Sequence, residues 1–269
     1  MKTILFLIKI AAAIYLLLCV LLYFLQEKMI FFPEKLAPDY TFRFQQPFEE
    51  LYFRMHDKTR LHGLLFKSDG SRGLIFYLHG NAGSLKSWGE IAKTYTDLHY
   101  DLFMLDYRGY GKSEDRIRSE QQVYDDVQSV YDSLQKSYHE RDIIVLGYSI
   151  GTGPAAKLAS SNRPKLLILQ APYYNLTDVM KHSFAIIPAF ILKYKFNNNI
   201  NLANCSMPIV IFHGDKDEVI YYGSSLKLKT LFKAADTLVT LQNQGHNGMS
   251  DNPYYRTVLQ QILDKQQAQ

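Results

Sequence analysis

The sequence predicts an α/β fold, a mostly parallel central sheet with helices on both faces, preceded by an N-terminal transmembrane helix. Three observations predict it. From about residue 73 onward, short runs of branched apolar residues alternate with amphipathic stretches, as strands joined by crossover helices do. One of these boundaries carries Gly147-Tyr148-Ser149-Ile150-Gly151, a serine between two glycines where a buried strand gives way to a small-residue helix. Residues 3–25 are apolar apart from Lys9, a length that suits one membrane span.

The first element is therefore read as an uncleaved signal anchor over residues 1–28. A cleaved signal peptide is the competing reading, but its apolar region is shorter and followed by small residues, whereas Gln26-Glu27-Lys28-Met29 follows here. Lys2, Lys9 and the terminal amine favour an inside N-terminus, and Lys28, Lys35 and Arg43 oppose it. The lean puts the following domain on the extracytoplasmic or lumenal side of a single-pass membrane protein. Residues 29–47 form a juxtamembrane segment, in which Met29 to Pro33 leave the bilayer as an aromatic interfacial stretch. Residues 48–269 are one α/β domain.

Within that domain, residues 48–55 and 59–66 read as two strands joined by the turn His56-Asp57-Lys58, an antiparallel hairpin at a sheet edge. Six further strands are expected at 73–79, 101–107, 142–148, 165–171, 208–213 and 237–241. The clearest helix spans 119–136, with Val123, Val127, Val130, Tyr131 and Leu134 on one face. A packed helix follows Ser149 over 152–160, and a C-terminal one starts near Asp251. Residues 173–207 are too long for a simple connection. Their apolar stretch 185–192, flanked by Lys181, His182, Lys193 and Lys195, is either a kinked core helix or part of a small cap that touches a lipid substrate or the membrane.

Composition removes several functions. A chain of 269 residues, 47% hydrophobic, can bury one large core. A net charge of +4 without basic clusters interleaved with aromatics gives no footprint for nucleic acid. Cys19 and Cys205 alone supply neither a disulfide framework nor a metal site, and no histidine pair has zinc-ligand spacing. Neither a P-loop nor a dinucleotide fingerprint is present, so no cofactor is expected.

In open parallel sheets, ligands bind beyond the carboxyl ends of the strands. Four turns there carry chemistry. His79-Gly80-Asn81-Ala82-Gly83 and the serine turn can aim the backbone N–H groups of Asn81 and Ile150 at a reacting oxygen. His213-Gly214-Asp215-Lys216-Asp217-Glu218 offers three carboxylates, and Gln244-Gly245-His246-Asn247-Gly248 offers a loop histidine. Serine chemistry needs these parts: a nucleophile, a base, an acid to orient the base, and oxyanion donors.

The stretches QEKMIFFPE, FYLHGNAG, FMLDYRGYGKS, LGYSIGTGPAA, LQAPYY, HGDKDEVI and GHN occur in that order. From about Phe31 onward the chain resembles the membrane-anchored α/β-hydrolases of the serine hydrolase superfamily, the alpha/beta-hydrolase-domain-containing group, which includes serine aminopeptidase-like and monoacylglycerol lipase-like members. The resemblance implies Ser149 as nucleophile, Asp217 as acid, His246 as base and the amides of Asn81 and Ile150 as oxyanion hole. Ile220 departs from the pattern, where a proline is common. Asp215 and Glu218 read as loop carboxylates, His79 and His213 as residues that satisfy backbone groups, and 106–111 as a scaffold beside the site. The expected activity is hydrolysis of an ester or thioester in a lipid or S-acylated substrate. The alternatives are a peptidase acting on short peptides and a non-catalytic tethered scaffold.

Overall fold

The computed structural model describes residues 1–184 and 186–266. α1 (Lys2–Ile30) is one continuous helix, because its run of Leu, Ile and Ala has no breaker before Pro33. Its side chains are exposed along most of its length, and it is long and apolar enough to cross a membrane. It ends two residues beyond the expected boundary at residue 28. The chain then forms β1 (Phe32–Pro33), β2 (Phe48–Arg54), β3 (Arg60–Phe66), β4 (Leu74–Leu78) and β5 (Ala82–Gly83). Two short helices, α2 (Leu85–Trp88) and α3 (Ala92–Thr96), lead to β6 (Asp101–Asp106). α4 (Glu120–Leu134), β7 (Ile143–Tyr148), α5 (Thr152–Ser161) and β8 (Leu166–Gln170) follow, then α6 (Leu176–Ser183) and α7 (Asn198–Ala203). The chain closes with β9 (Ile209–Gly214), α8 (Gly223–Lys229), β10 (Thr237–Leu241) and α9 (Pro253–Lys265).

Eight strands make the main sheet in the order β10-β9-β8-β7-β4-β6-β3-β2. The six from β6 to β10 pair in parallel, while β2 and β3 form the antiparallel edge hairpin. This is the α/β arrangement expected from the alternating runs. Successive residues of β7 point to opposite faces, so Ile143 and Val145 join one core and Ile144 and Leu146 the other. α4, α5 and α7 cover the first face, and α2, α3 and α9 the second. Ser119 caps α4 by accepting from the Gln122 N–H at 3.1 Å, so the helix expected over 119–136 is found with its ends trimmed.

From β4 the chain steps to β6 on one side, then crosses to β7 on the other. The carboxyl ends of β4 and β7 therefore flank the point where the winding reverses, which is where such sheets leave a crevice.

Two segments go beyond what the local pattern gives. The stretch 185–192 begins at Ala185, which lies outside the described residues; the remainder forms no core helix but a turn and a single 3₁₀ turn (Ala189–Ile191), with Ile186 81% and Phe190 86% exposed. Pro188 and the absence of a helical period explain the break. Just after α1 the chain is held by backbone pairing: β1 pairs in parallel with β5, and Leu36 N–H donates to the Gly111 carbonyl at 3.0 Å.

Candidate active site

Ser149 follows the last residue of β7 and opens the turn into α5. Its φ of +52° is in the left-handed region, so the side chain stands out of the turn at a non-glycine residue under backbone strain. Its neighbours explain how the chain accommodates this. A Cβ on Gly151 would lie 2.1 Å from the Leu78 carbonyl oxygen, and one on Gly147 would lie 2.6 Å from the Gly151 carbonyl oxygen. Both glycines are therefore required by close approach to β4 and to the turn itself. The Thr152 hydroxyl donates to the Ser149 carbonyl at 2.6 Å, and the Tyr173 hydroxyl donates to the Ile150 carbonyl at 3.0 Å. These bonds fix the peptide that carries the Ile150 N–H.

The loop after β10 brings His246 to the serine. Its Nε2 lies 3.0 Å from Ser149 Oγ, and its Nδ1 lies 2.8 Å from Asp217 Oδ2. An ionised carboxylate only accepts, so Nδ1 carries the proton and Nε2 is free to take one from the serine. All three residues are buried. Asp217 Oδ1 accepts the backbone N–H groups of Val219 and Ile220 at 2.9 and 2.8 Å. Burial alone raises the pKa of this carboxyl, but hydrogen bonds from His213 and His246 outweigh it and hold the group well below the usual carboxylate range. Asp215 stands apart and accepts the Asn243 N–H at 2.7 Å.

The residues expected as scaffold largely take that role. His79 Nδ1 donates to the Gly80 carbonyl at 2.7 Å, and burial lowers its pKa despite nearby Asp106. Asp106 accepts the Leu85 N–H at 3.1 Å, and Arg108 is forked onto Asp126 at 2.6 and 2.8 Å. The Asn81 carbonyl accepts from the Phe32 N–H at 2.8 Å and the Tyr110 hydroxyl at 2.7 Å. The β1–β5 pairing thus holds the loop that carries Asn81.

Three contacts were not foreseen from sequence. His213 does satisfy a backbone group, the Ile220 carbonyl at 2.9 Å, but the same Nε2 also lies 3.2 Å from Asp217 Oδ2. Glu218 is exposed, yet its Oε2 accepts the His246 N–H at 3.3 Å. The Tyr148 hydroxyl donates to the His246 carbonyl at 2.5 Å. A histidine four residues before Asp217 was the one signal available for the first.

Ser149, Ile150 and Asn81 open onto a cavity of about 420 Å³. Its other walls are mostly apolar: Leu176, Val179 and Met180 from α6, Ile187 and Leu192 beyond it, and Val219 and Ile220 beside Asp217. α1 adds Leu22, Gln26, Met29 and Ile30 to the lining.

Residues 69–203, just over half of the chain, match the family described as serine aminopeptidase, S33. The chain is 30% identical over 182 residues to the lysophosphatidylserine lipase ABHD12 of Macaca fascicularis, covering 60% of this chain and 46% of that one. It is 29% identical over 202 residues to alpha/beta hydrolase domain-containing protein 17C of Xenopus tropicalis, covering 73% and 63%. It thus spans between about half and just under two thirds of the length of these relatives. Among solved structures, an esterase of Pyrococcus furiosus matches with a TM-score of 0.69 at 16% identity over 88% of this chain and 98% of that one. Est1E of Butyrivibrio proteoclasticus matches at 0.67 and 18% identity over 82% and 99%. At these identities the structural likeness speaks to the fold.

Proposed function

The chain belongs to the serine aminopeptidase S33 family of α/β-hydrolases, and we propose that it is a serine hydrolase that cleaves a carboxylic ester or thioester of a lipid or acylated substrate. The observation that carries this reading is the unbroken chain of contacts Ser149 Oγ, His246 Nε2, His246 Nδ1, Asp217 Oδ2, at 3.0 and 2.8 Å, at the mouth of an apolar cavity.

In the mechanism, His246 takes the Ser149 proton as Oγ attacks the acyl carbon, and Asp217 stabilises the imidazolium. The backbone N–H groups of Asn81 and Ile150 bind the oxyanion. Collapse expels the leaving alcohol or thiol, which takes the proton from His246, and leaves the acyl group on Ser149. Water then gives its proton to His246, attacks the acyl-enzyme and releases the acid. The lysophosphatidylserine lipase relatives support a lipid substrate. Among the described residues no carboxylate lines the cavity, so a peptide's free amino terminus finds no charged partner there, and the peptidase reading is the weaker one. α1 serves as the membrane anchor, residues 173–207 as the cap, and the hydrolase domain lies on the extracytoplasmic or lumenal side.

Replacing Ser149 with Ala is expected to lower turnover of short acyl esters on the order of 10³-fold or more and to abolish labelling by a fluorophosphonate. Undiminished hydrolysis in a clean preparation would sink the assignment, and an unlabelled wild-type chain would leave the scaffold reading.

A further inference from the structure

α1 is more than a tether. Tyr15, Cys19, Leu22, Gln26 and Ile30 recur at three- and four-residue spacing, so they share one face of the helix. Along its lower half that face meets the cap. The Tyr15 hydroxyl donates to the Ile186 carbonyl at 2.9 Å, and Gln26 Nε2 donates to the Ile191 carbonyl at 2.8 Å. Gln26 Oε1 in turn accepts the Lys193 N–H at 2.9 Å. Gln26 is only 5% exposed, so its amide is committed to the cap backbone. Leu22, Gln26, Met29 and Ile30 then wall the cavity that holds Ser149.

The contact at Tyr15 lies about 16 Å up the helix axis from Gln26 at 1.5 Å per residue, roughly half the thickness of a hydrocarbon core. If α1 spans a bilayer, the cap loop that touches it there lies within the bilayer too. Its chemistry suits that place. From Phe184 to Leu192 the described residues carry no charge, and Phe184, Ile186 and Phe190 are exposed. The exposed loop would otherwise leave backbone groups bare in lipid, but Ile187 N–H donates to the Phe184 carbonyl and Ile191 N–H to the Pro188 carbonyl, at 2.9 and 3.2 Å. Charges resume at Lys193, which pairs with Glu27 at 3.2 Å.

We infer that the cavity takes the acyl chain of a membrane lipid sideways from the bilayer, alongside α1 between its Tyr15 and Gln26 contacts with the cap loop, so that Leu22, Met29 and Ile30 are substrate-binding residues. The chain lies against α1 with its carbonyl at Ser149, and its methylenes pass from lipid to an apolar wall without crossing water. This rests on Ser149 being the nucleophile and adds that the membrane helix selects the acyl group.

The test uses the full-length chain in phosphatidylcholine nanodiscs and the ratio of 4-nitrophenyl palmitate to 4-nitrophenyl acetate turnover. A ratio within one preparation cancels any loss of folded enzyme. Leu22→Trp and Met29→Trp, which fill the cavity from the helix side, are expected to lower the ratio about tenfold, as exclusion of about two methylenes from an apolar wall does. Leu17→Trp, on the opposite, lipid-facing side of α1, is expected to leave it unchanged. An unchanged ratio in both cavity variants, or an equal fall in all three, overturns the inference. Fluorophosphonate labelling tells the two failures apart. A wild-type chain that is labelled and hydrolyses both esters, with a ratio indifferent to Leu22 and Met29, refutes only the role of α1; one that is neither labelled nor active refutes the serine assignment and this inference with it.

Discussion

Asp217 accepts four hydrogen bonds or close contacts: two backbone N–H groups, His213 and His246. That number fixes the carboxylate and, through it, the tautomer of His246. Asp217→Asn keeps the shape but replaces an acceptor with a group that can donate, so His246 is expected to adopt the wrong tautomer and kcat to fall on the order of 10⁴-fold with KM little changed. Steady-state kinetics on a short ester checks this; a fall below tenfold would mean the acid is elsewhere. Gly151 tests the turn independently. Its φ is ordinary, so Ala there suffers from steric clash alone, its Cβ placed 2.1 Å from the Leu78 carbonyl oxygen and 2.6 Å from that of His79. Neither backbone can yield, and the expected loss is about 3 kcal/mol, a drop of roughly 10 °C in Tm. A shift of under about 2 °C in a thermal melt refutes the close approach. At this scale the sequence was most legible: the three turns that carry Ser149, Asp217 and His246 follow from strand alternation, the choice of Asp217 among three carboxylates came from the family resemblance, and the structure brings the three side chains within hydrogen-bond reach. The second contact of His213 was hidden because a histidine at a strand end has many possible partners, and spacing alone does not choose one.

Elements were legible where their period was local. α4 and the edge hairpin follow from side chains that repeat every three to four or every two residues, and the structure forms them over Glu120–Leu134, Phe48–Arg54 and Arg60–Phe66. The β1–β5 pairing and the contact of α1 with residues 186–193 have no such signal, since they join segments some 50 and 165 residues apart, the first through backbone groups and the second through side chains that bond to backbone. Gln26 is the clearest example. From sequence it marks the end of an apolar span; in the fold both ends of its amide clasp the chain at Ile191 and Lys193. Gln26→Leu leaves that carbonyl and N–H without partners, at a cost of about 1–3 kcal/mol, and it falls on the segment around Ile191 and Lys193, where those two bonds of the amide end. The expected result is faster tryptic cleavage at Lys193 and Lys195 with the global melt lowered by only a few degrees. Equal cleavage rates in wild type and variant would show that the clasp does not hold the cap.

Across the whole molecule, the α/β class was legible because burying both faces of a parallel sheet demands continuous apolar strands, and those runs and their spacing are visible in the order of residues. What composition does not show is how burial distributes charge. His79 is buried and its pKa lowered by desolvation, while Asp217 and Asp101 are buried yet held below their usual values, Asp217 by His213 and His246 and Asp101 by Lys67 and Tyr138. Asp126 goes the other way, raised by burial against the pull of Arg108. The signs set the pH response of stability. His79, with a folded pKa below its unfolded value of about 6.5, gives stability present above that pH and lost as pH falls, since the unfolded chain takes the proton first. Asp217 and Asp101 give stability present above their unfolded value of about 4 and lost as pH falls through their folded values. Asp126 contributes the opposite way, favouring the fold at low pH and losing that gain as pH rises through its raised value, so it offsets only part of the trend. Stability is therefore expected to decline gently below about pH 6.5 and more steeply below about pH 4, each group adding at most about 1.4 kcal/mol per pH unit. Asp217→Asn removes one of the titrating carboxylates, so the steep limb should become shallower in the variant even though its stability at neutral pH is lower. Chemical denaturation of both chains in detergent between pH 7 and pH 3 measures the two slopes, and parallel slopes below pH 4 would show that the charge of Asp217 does not stabilise the fold.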